Sequence, residues 1–102
     1  MDQTYVEIAK RFAKKASALF PAQKILLFGS CAKGTQTPSS DIDIAVIVKA
    51  APVDYLRAQA ALFSLVYETD HSIEPILLVK GHDRSGFIET VTREGVVVYT
   101  AS

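Results

Sequence analysis

This chain of 102 residues has one cysteine and no net charge, and both facts limit the classes of protein to which it can belong. The single cysteine, Cys31, cannot form an internal disulfide, as expected in a reducing cytosol. Eleven Lys and Arg residues balance eleven Asp and Glu residues, so the net charge indicates neither a nucleic acid nor an anionic membrane as a partner. The apolar runs are too short to span a bilayer, and the polar, periodic N-terminus is unlike a signal peptide. We therefore expect a cytoplasmic protein that contacts neither membrane nor nucleic acid directly.

Apolar periodicity divides the chain into alternating helices and strands. Spacings of three and four residues predict helices over 4–20, 53–69 and 86–94. Short apolar runs predict strands over 24–28, 41–48 and 72–79, a turn over 81–85 and a short extended tail over 96–99. This order predicts that residues 1–102 form a single two-layer α/β domain, a small mixed sheet with helices packed on one side of it.

Two aspartates open the second predicted strand. Asp41 and Asp43 are two residues apart, so their side chains share one face, while Ile42 and Ile44 point into the core. Carboxylates this close resist joint ionisation unless a cation lies between them, and their oxygens suit Mg²⁺ or Mn²⁺. The alternative is a turn aspartate followed by an exposed one, which is the commoner meaning of a lone DxD pair.

The loop before this strand is rich in Gly, Ser and Thr. Gly29 ends a buried strand, where the missing side chain lets a ligand approach the backbone. Ser30 offers a hydroxyl and an N–H group to a phosphate, Lys33 offers a positive charge, and Gly34 permits a tight bend. The loop lacks the GxxxxGK[ST] pattern of a Walker loop and alone could be an ordinary turn. Joined to the DxD pair, it places phosphate donors beside metal ligands.

A third carboxylate, Glu74, lies in an apolar strand between Ile73 and Pro75. A charge there is costly unless it is exposed at an edge or paired with a cation, and Pro75 itself predicts an edge or a bulge. If this strand is adjacent to the second, Glu74 joins Asp41 and Asp43. Three carboxylates around one or two divalent ions are the usual apparatus for attack on phosphorus. The alternative is a solvated glutamate at the sheet edge.

Taken together, GSxAxG, then SDxD, then a later carboxylate on a strand resemble the DNA polymerase beta nucleotidyltransferase superfamily. Length and layout resemble its minimal nucleotidyltransferase branch, whose small members are often antitoxins of HEPN-domain toxins. The resemblance assigns nucleotide binding to Gly29, Ser30, Lys33, Gly34 and Ser40. It assigns metal binding and catalysis to Asp41, Asp43 and Glu74.

The resemblance also implies a reaction. AMP would pass from ATP to a hydroxyl acceptor, such as a tyrosine of a HEPN-type toxin, with one or two Mg²⁺ ions, or Mn²⁺ in their place. Two alternatives stay open: an antitoxin that neutralises its partner by occlusion with little or no catalysis, and a nucleotidyltransferase acting on an antibiotic or metabolite, which would usually need extra domains. A homo-oligomer is also compatible with the sequence.

The chain departs from the family pattern in three places. Cys31 stands where many members have a basic or aromatic residue, and we interpret it as a passive small residue because reactive thiols need an electropositive setting. Lys33 stands where arginine is frequent, so bidentate phosphate contact is lost. Glu74 replaces the commoner aspartate but is long enough to reach a metal. Separately, the apolar helix over 53–69 predicts cover on more than one side, by the core or by a partner.

Overall fold

Helices and strands alternate through the computed structural model, which describes residues 3–82 and 85–101. In chain order the elements are α1 (Gln3–Leu19), β1 (Ala22–Phe28), α2 (Ser30–Lys33), β2 (Ile42–Val48), α3 (Tyr55–Thr69), β3 (Ile73–Val79), α4 (Phe87–Glu94) and β4 (Val96–Thr100). The predicted elements are present with small shifts of their ends. The predicted turn over 81–85 lies partly outside the described residues, at 83 and 84. No helix of the described chain has both the length and the apolar character that crossing a membrane requires.

The four strands form one mixed sheet in the order β3-β2-β1-β4. β1 is antiparallel to both β2 and β4, and β2 is parallel to β3. The predicted small mixed sheet is therefore confirmed, and β3 is an edge strand, as Pro75 indicated. The segment predicted as an extended tail is instead a paired strand, β4, because Val96 and Val97 are in register with the last residues of β1.

The sheet is apolar on both faces. One face packs on α1 and α3 in a core that includes Phe12, Ile25, Leu27, Ile44, Val46, Leu62 and Leu77. The other face is covered in part by α4, in a smaller cluster of Leu26, Ala45, Ile47 and Val91. Placing the helices on one side is thus correct for α1 and α3 and wrong for α4. The reason is that β1 and β2 carry apolar residues at consecutive positions, so both of their faces need cover.

Helix α3 begins later than predicted because Asp54 caps it. The Asp54 side chain accepts a hydrogen bond of 3.0 Å from the backbone N–H of Arg57. The buried face of α3 carries Ala58, Leu62, Leu65 and Val66. The opposite face is exposed, so the described chain itself covers only one side of this helix, and cover of the other side by a partner stays a prediction.

Side chains of α3 also close the free edge of β3. The amide of Gln59 donates to the carbonyl of Pro75 and accepts from the N–H of Leu77, both at 2.9 Å. The hydroxyl of Tyr55 donates to the carbonyl of Leu77. Gln59 therefore acts as a short replacement for a neighbouring strand, which stabilises the edge and hinders edge-to-edge pairing.

Gln59→Ala should destabilise the fold by about 1–2 kcal/mol, because both backbone partners lose a hydrogen bond in a part-buried setting. Urea unfolding measures the loss, and hydrogen exchange at the Leu77 amide should accelerate. Arg57→Ala, which removes an exposed side chain from the same helix, is the control. Unchanged exchange at Leu77 in Gln59→Ala would show that Gln59 does not hold this edge.

Candidate functional site

Three carboxylates meet where β2 and β3 begin. Asp43 and Glu74 are directly in register on these adjacent parallel strands, so their side chains share one face. Asp41 lies just before β2 and is exposed, as is Glu74, whereas Asp43 is half-buried. Ile42 and Ile44 are buried in the main core, as predicted. The structure thus brings together all three residues that the sequence indicated for metal binding.

The carboxylates are coupled electrostatically. Burial raises the pKa of Asp43 above its ordinary value, and the charge of Asp41 adds to the rise. The pKa of Glu74 is also raised, first by hydrogen bonding to Asp41, then by the charge of Asp41, and to a smaller extent by burial and by the charge of Asp43. Both groups therefore hold protons more tightly than free carboxyls, as a site does when it concentrates negative charge without an opposing cation.

Asp43→Asn should raise the free energy of unfolding at neutral pH in the presence of a chelator. Because the folded pKa of Asp43 is raised, ionisation destabilises the folded wild type as pH rises from the ordinary value toward the folded value. The advantage of the amide is thus absent below the ordinary pKa and complete above the folded one. Urea unfolding from pH 3 to pH 8 with EDTA measures it, with Glu7→Gln on exposed α1 as the control. Equal free energies of unfolding for Asp43→Asn and wild type at pH 7 would contradict the claim that ionised Asp43 destabilises the fold.

The donor set suits a hard divalent cation. All three side chains offer oxygen ligands, which Mg²⁺ and Mn²⁺ prefer. Nearby acidic side chains contribute to the raised pKa of Asp43 and of Glu74, and a cation would relieve that repulsion. Within residues 3–82 and 85–101, however, no three His, Cys, Asp or Glu side chains could hold a metal ion as they now stand. Asp41 and Asp43 would be the first ligands, with Glu74 beside them as the third.

Gly29 joins β1 to α2 directly above Asp43. Its backbone angles, φ 72° and ψ −156°, lie in a region that is almost restricted to glycine. A Cβ built on Gly29 would overlap Oδ2 of Asp43 and lie 3.3 Å from its Cγ. The missing side chain of Gly29 therefore makes room for the Asp43 carboxylate, whereas the approach of a ligand to this backbone stays a prediction.

The other nucleotide-binding candidates follow Gly29 in the loop. The carbonyl of Gly29 accepts hydrogen bonds from the N–H groups of Ala32 and Lys33, both at 3.1 Å. Because these two donors are occupied, the backbone N–H groups that could bind a phosphate at this turn are those of Ser30 and Cys31. Gly34 ends α2 in the left-handed conformation, which confirms its predicted role in a tight bend. The hydroxyl of Ser40 accepts from the N–H of Thr37 at 2.8 Å and thereby closes the loop.

Lys33 has a partner that the sequence did not indicate. Its Nζ lies 3.0 Å from Oε1 of Glu94 at the end of α4, and this ammonium group lowers the pKa of Glu94. Both side chains are largely exposed. Such surface pairs contribute little free energy, so Lys33 could exchange Glu94 for a phosphate at small cost.

Cys31 behaves as the passive residue that we expected. It is fully buried, and its Sγ lies 3.5 Å from the carbonyl oxygen of Asp41. Burial, and then the charge of Asp43, raise the pKa of the thiol. A neutral, buried thiol is a poor nucleophile, so Cys31 packs α2 against the start of β2.

Helix α3 forms one wall of the site, which the sequence did not reveal. One hollow is shared by Asp43, Glu74, Phe28, Tyr55, Gln59 and Phe63. A neighbouring hollow is shared by Asp41, Glu74, Phe63, Tyr67 and His71. Phe63 and Glu74 line both, so an aromatic wall stands beside the carboxylates. The sequence placed Phe63 in an apolar stripe, but only the packing of α3 at the β3 edge brings that stripe to the site.

A family comparison agrees with this geometry. Residues 9–98 match the model of the nucleotidyltransferase domain. The chain belongs to the nucleotidyltransferase domain family. A curated relative from Methanocaldococcus jannaschii, provisionally named a protein adenylyltransferase, is 33% identical over 99 residues, which cover 91% of this chain and 97% of the relative. The superfamily resemblance stated from the sequence is confirmed.

Solved structures extend the agreement to the fold. A crystal structure assigned as a nucleotidyltransferase of Sulfolobus solfataricus matches with a TM-score of 0.68 at 20% identity, over 95% of this chain and 81% of that one. A toxin–antitoxin with AMP-PNP matches with a TM-score of 0.68 at 25% identity, over 91% and 74%. A toxin–antitoxin MntA–HpeT variant with two aspartate-to-glutamate changes matches with a TM-score of 0.58 at 26% identity, over 79% and 63%. The α/β nucleotidyltransferase fold is therefore shown.

Proposed function

We propose that this nucleotidyltransferase moves AMP from ATP to a hydroxyl of a partner protein. The observation that carries the proposal is the register of Asp43 with Glu74, beside Asp41 and next to Gly29, whose missing side chain makes room for the Asp43 carboxylate. The name of the relative, a protein adenylyltransferase, supports a protein as the acceptor. The structurally similar toxin–antitoxin with AMP-PNP supports an adenine nucleotide as the donor and a toxin as the partner.

The proposed reaction is an in-line displacement. The acceptor oxygen bonds to the α-phosphorus while the bond to the oxygen that bridges to the β-phosphorus breaks, and pyrophosphate leaves. The proton of the acceptor hydroxyl passes to Glu74, which is in register with Asp43 on the adjacent strand. A divalent ion held by Asp41 and Asp43 would supply charge neutralisation at the phosphate and a lower pKa for the acceptor.

The nucleotide would lie along the turn that contains Gly29. We assign the β- and γ-phosphates to Gly29 and Ser30, with Lys33 as a nearby positive charge and Gly34 and Ser40 shaping the loop. The acceptor we favour is a tyrosine of a HEPN-type toxin. The aspartates altered in the MntA–HpeT variant are two positions apart, the spacing of Asp41 and Asp43 here, which supports these two as the working pair.

ATP binding tests the site without requiring turnover. Titration calorimetry should show binding that needs Mg²⁺ or Mn²⁺ and that weakens at least about tenfold, or 1.4 kcal/mol, in the Asp41→Asn, Asp43→Asn double variant. The Glu7→Gln, Glu89→Gln double variant makes the same change of net charge on exposed helix positions and should bind like wild type. Equal affinity in both double variants, or affinity that ignores the metal, would exclude this site.

One observation favours a second candidate, neutralisation of the partner by occlusion. The carboxylates are not yet arranged as a three-ligand cage within the described residues, and exposed apolar side chains of α3 adjoin them. An antitoxin of this kind would silence its partner without modifying it. The mass of the partner after incubation with ATP separates the two functions.

A further inference from the structure

Helix α3 presents an apolar stripe to solvent. Of seven large apolar side chains that are exposed among the described residues, five lie between positions 53 and 67. Leu56 is 79% exposed, Tyr67 78% and Phe63 43%. Leu56, Ala60, Phe63 and Tyr67 follow one another at helical spacing, so they share one face, which we term the α3 stripe. So concentrated a patch on a small protein indicates a binding surface.

The α3 stripe is continuous with the carboxylate site. Phe63 lines one hollow with Asp43 and a second with Asp41, and Glu74 lines both. Tyr67 lies in the second hollow, with its ring 5.5 Å from that of His71. A molecule lying on the stripe therefore has one margin against the acidic residues that carry the proposed chemistry.

We propose that the α3 stripe binds an amphipathic helix of the acceptor protein, and that this helix delivers the hydroxyl to the site. The proposal rests on the proposed function and names how its acceptor is recognised. From Leu56 to Tyr67 the stripe is about 16 Å long, which is three turns of a partner helix and too long for a small acceptor. Apolar side chains of that helix, three and four residues apart, cover the stripe.

Charge fixes the orientation of the bound helix. Asp41, Asp43 and Glu74 lie along one margin of the stripe, and their carboxylates attract Lys or Arg side chains of the bound helix. The acceptor hydroxyl therefore lies beside basic residues on the margin of its helix.

The test uses two synthetic peptides of about 18 residues, or five helical turns. The first is a labelled amphipathic helix with a tyrosine flanked by lysines, and the second has the same composition in scrambled order. The binding variant is Leu56→Gln, Ala60→Gln, in which glutamine keeps helix propensity and both positions are exposed on the α3 stripe. Leu19→Gln, at a 58% exposed position on α1, is the matched control.

Fluorescence anisotropy should show that wild type and Leu19→Gln bind the amphipathic peptide at least about tenfold more tightly than the scrambled one. The double variant should bind both peptides equally, while its calorimetric affinity for ATP with Mg²⁺ stays at the wild-type value. Equal binding of both peptides by wild type, or a preference that survives in the double variant, overturns the proposal. A concentration-dependent dimer that the double variant abolishes also overturns it, because a second copy then covers the stripe.

The rates of AMP transfer to two acceptors distinguish a failure of the docking surface from a failure of the proposed function. With ATP and Mg²⁺, the tyrosine of the amphipathic peptide should gain AMP faster than N-acetyltyrosine amide does, and only for proteins with an intact stripe. Equal rates on both acceptors overturn the docking role while supporting the enzyme. Preferential peptide binding with no transfer to either acceptor supports the docking surface and removes the proposed function.

Discussion

Glu74→Gln is expected to slow nucleotidyl transfer about 10²–10⁴-fold, the usual contribution of a positioned acid–base group. Glutamine keeps the shape of the side chain but cannot take up the proton of the acceptor. Affinity for ATP with Mg²⁺ should change only a few-fold, because Asp41 and Asp43 remain to hold the ion. A large loss of transfer rate with little change in ATP affinity is expected of a residue that acts on the acceptor.

Stability should not explain this loss. Glu74 is exposed and its pKa is raised by its acidic neighbours, so removing its charge relieves repulsion. The free energy of unfolding should therefore stay level or rise slightly. Single-turnover transfer and urea unfolding are measured together, with Glu89→Gln on exposed α4 as the control. Wild-type transfer by Glu74→Gln would remove Glu74 from the mechanism.

Gly29→Ala is expected to reduce both stability and ATP affinity. The backbone of Gly29 lies where only glycine is comfortable, which makes any side chain cost about 1–3 kcal/mol. The new methyl group also overlaps the carboxylate of Asp43 and must push it aside. Because Asp43 is a proposed metal ligand, we expect ATP affinity to fall at least about tenfold, or 1.4 kcal/mol, after allowance for unfolded protein.

Gly81→Ala separates the two effects. Gly81 also has a positive φ, of 87°, but a Cβ there meets nothing within 4 Å. It follows β3 at the end away from Glu74. Gly81→Ala should lose stability through backbone strain and keep full ATP affinity. Differential scanning calorimetry and ATP titration measure both quantities, and Gly29→Ala with wild-type affinity for ATP would mean that its loop is only a turn.

The carboxylate site could be predicted in large part because its signals are local. Period two in DIDIAVIV places Asp41 and Asp43 on one face and Ile42 and Ile44 on the other, whatever the strand pairs with. Gly29 at the end of an apolar run marked a close approach of the backbone. The sequence placed Glu74 at the site only on the condition that its strand is adjacent to β2. The parallel pairing of β2 with β3 satisfies that condition.

Other parts depended on long-range pairing that no local pattern reports. β4 is a strand because β1 offers it a free edge, and its four apolar residues alone could equally form a tail. The side of the sheet taken by α4 follows from the crossover between β3 and β4. Gln59 is a polar residue in an otherwise apolar helix, and its role depends on the open edge of β3, which no local pattern indicates. Asp54, in contrast, carried a local capping signal that could have placed the start of α3.

The exposed apolar face of α3 could not be predicted for the same reason, because it too depends on long-range packing. In the sequence, one apolar stripe runs from Leu56 to Tyr67 at helical spacing and a second, which contains Leu62, lies beside it. Sequence alone could not tell which of the two stripes the core covers. The structure buries the stripe that contains Leu62 and leaves Leu56 and Tyr67 in solvent beside the acidic residues. The apolar excess that the sequence displayed therefore remains available to a partner.

The most direct test of nucleotidyl transfer by this site is the intact mass of an acceptor. A HEPN-type toxin, and in parallel N-acetyltyrosine amide, would be incubated with ATP, Mg²⁺ and either wild type or Asp43→Asn. We predict that wild type adds the mass of AMP to a tyrosine hydroxyl and releases pyrophosphate, and that Asp43→Asn adds none. A partner that wild type silences with no change of mass, and an amide that stays unmodified, would contradict transfer and favour occlusion.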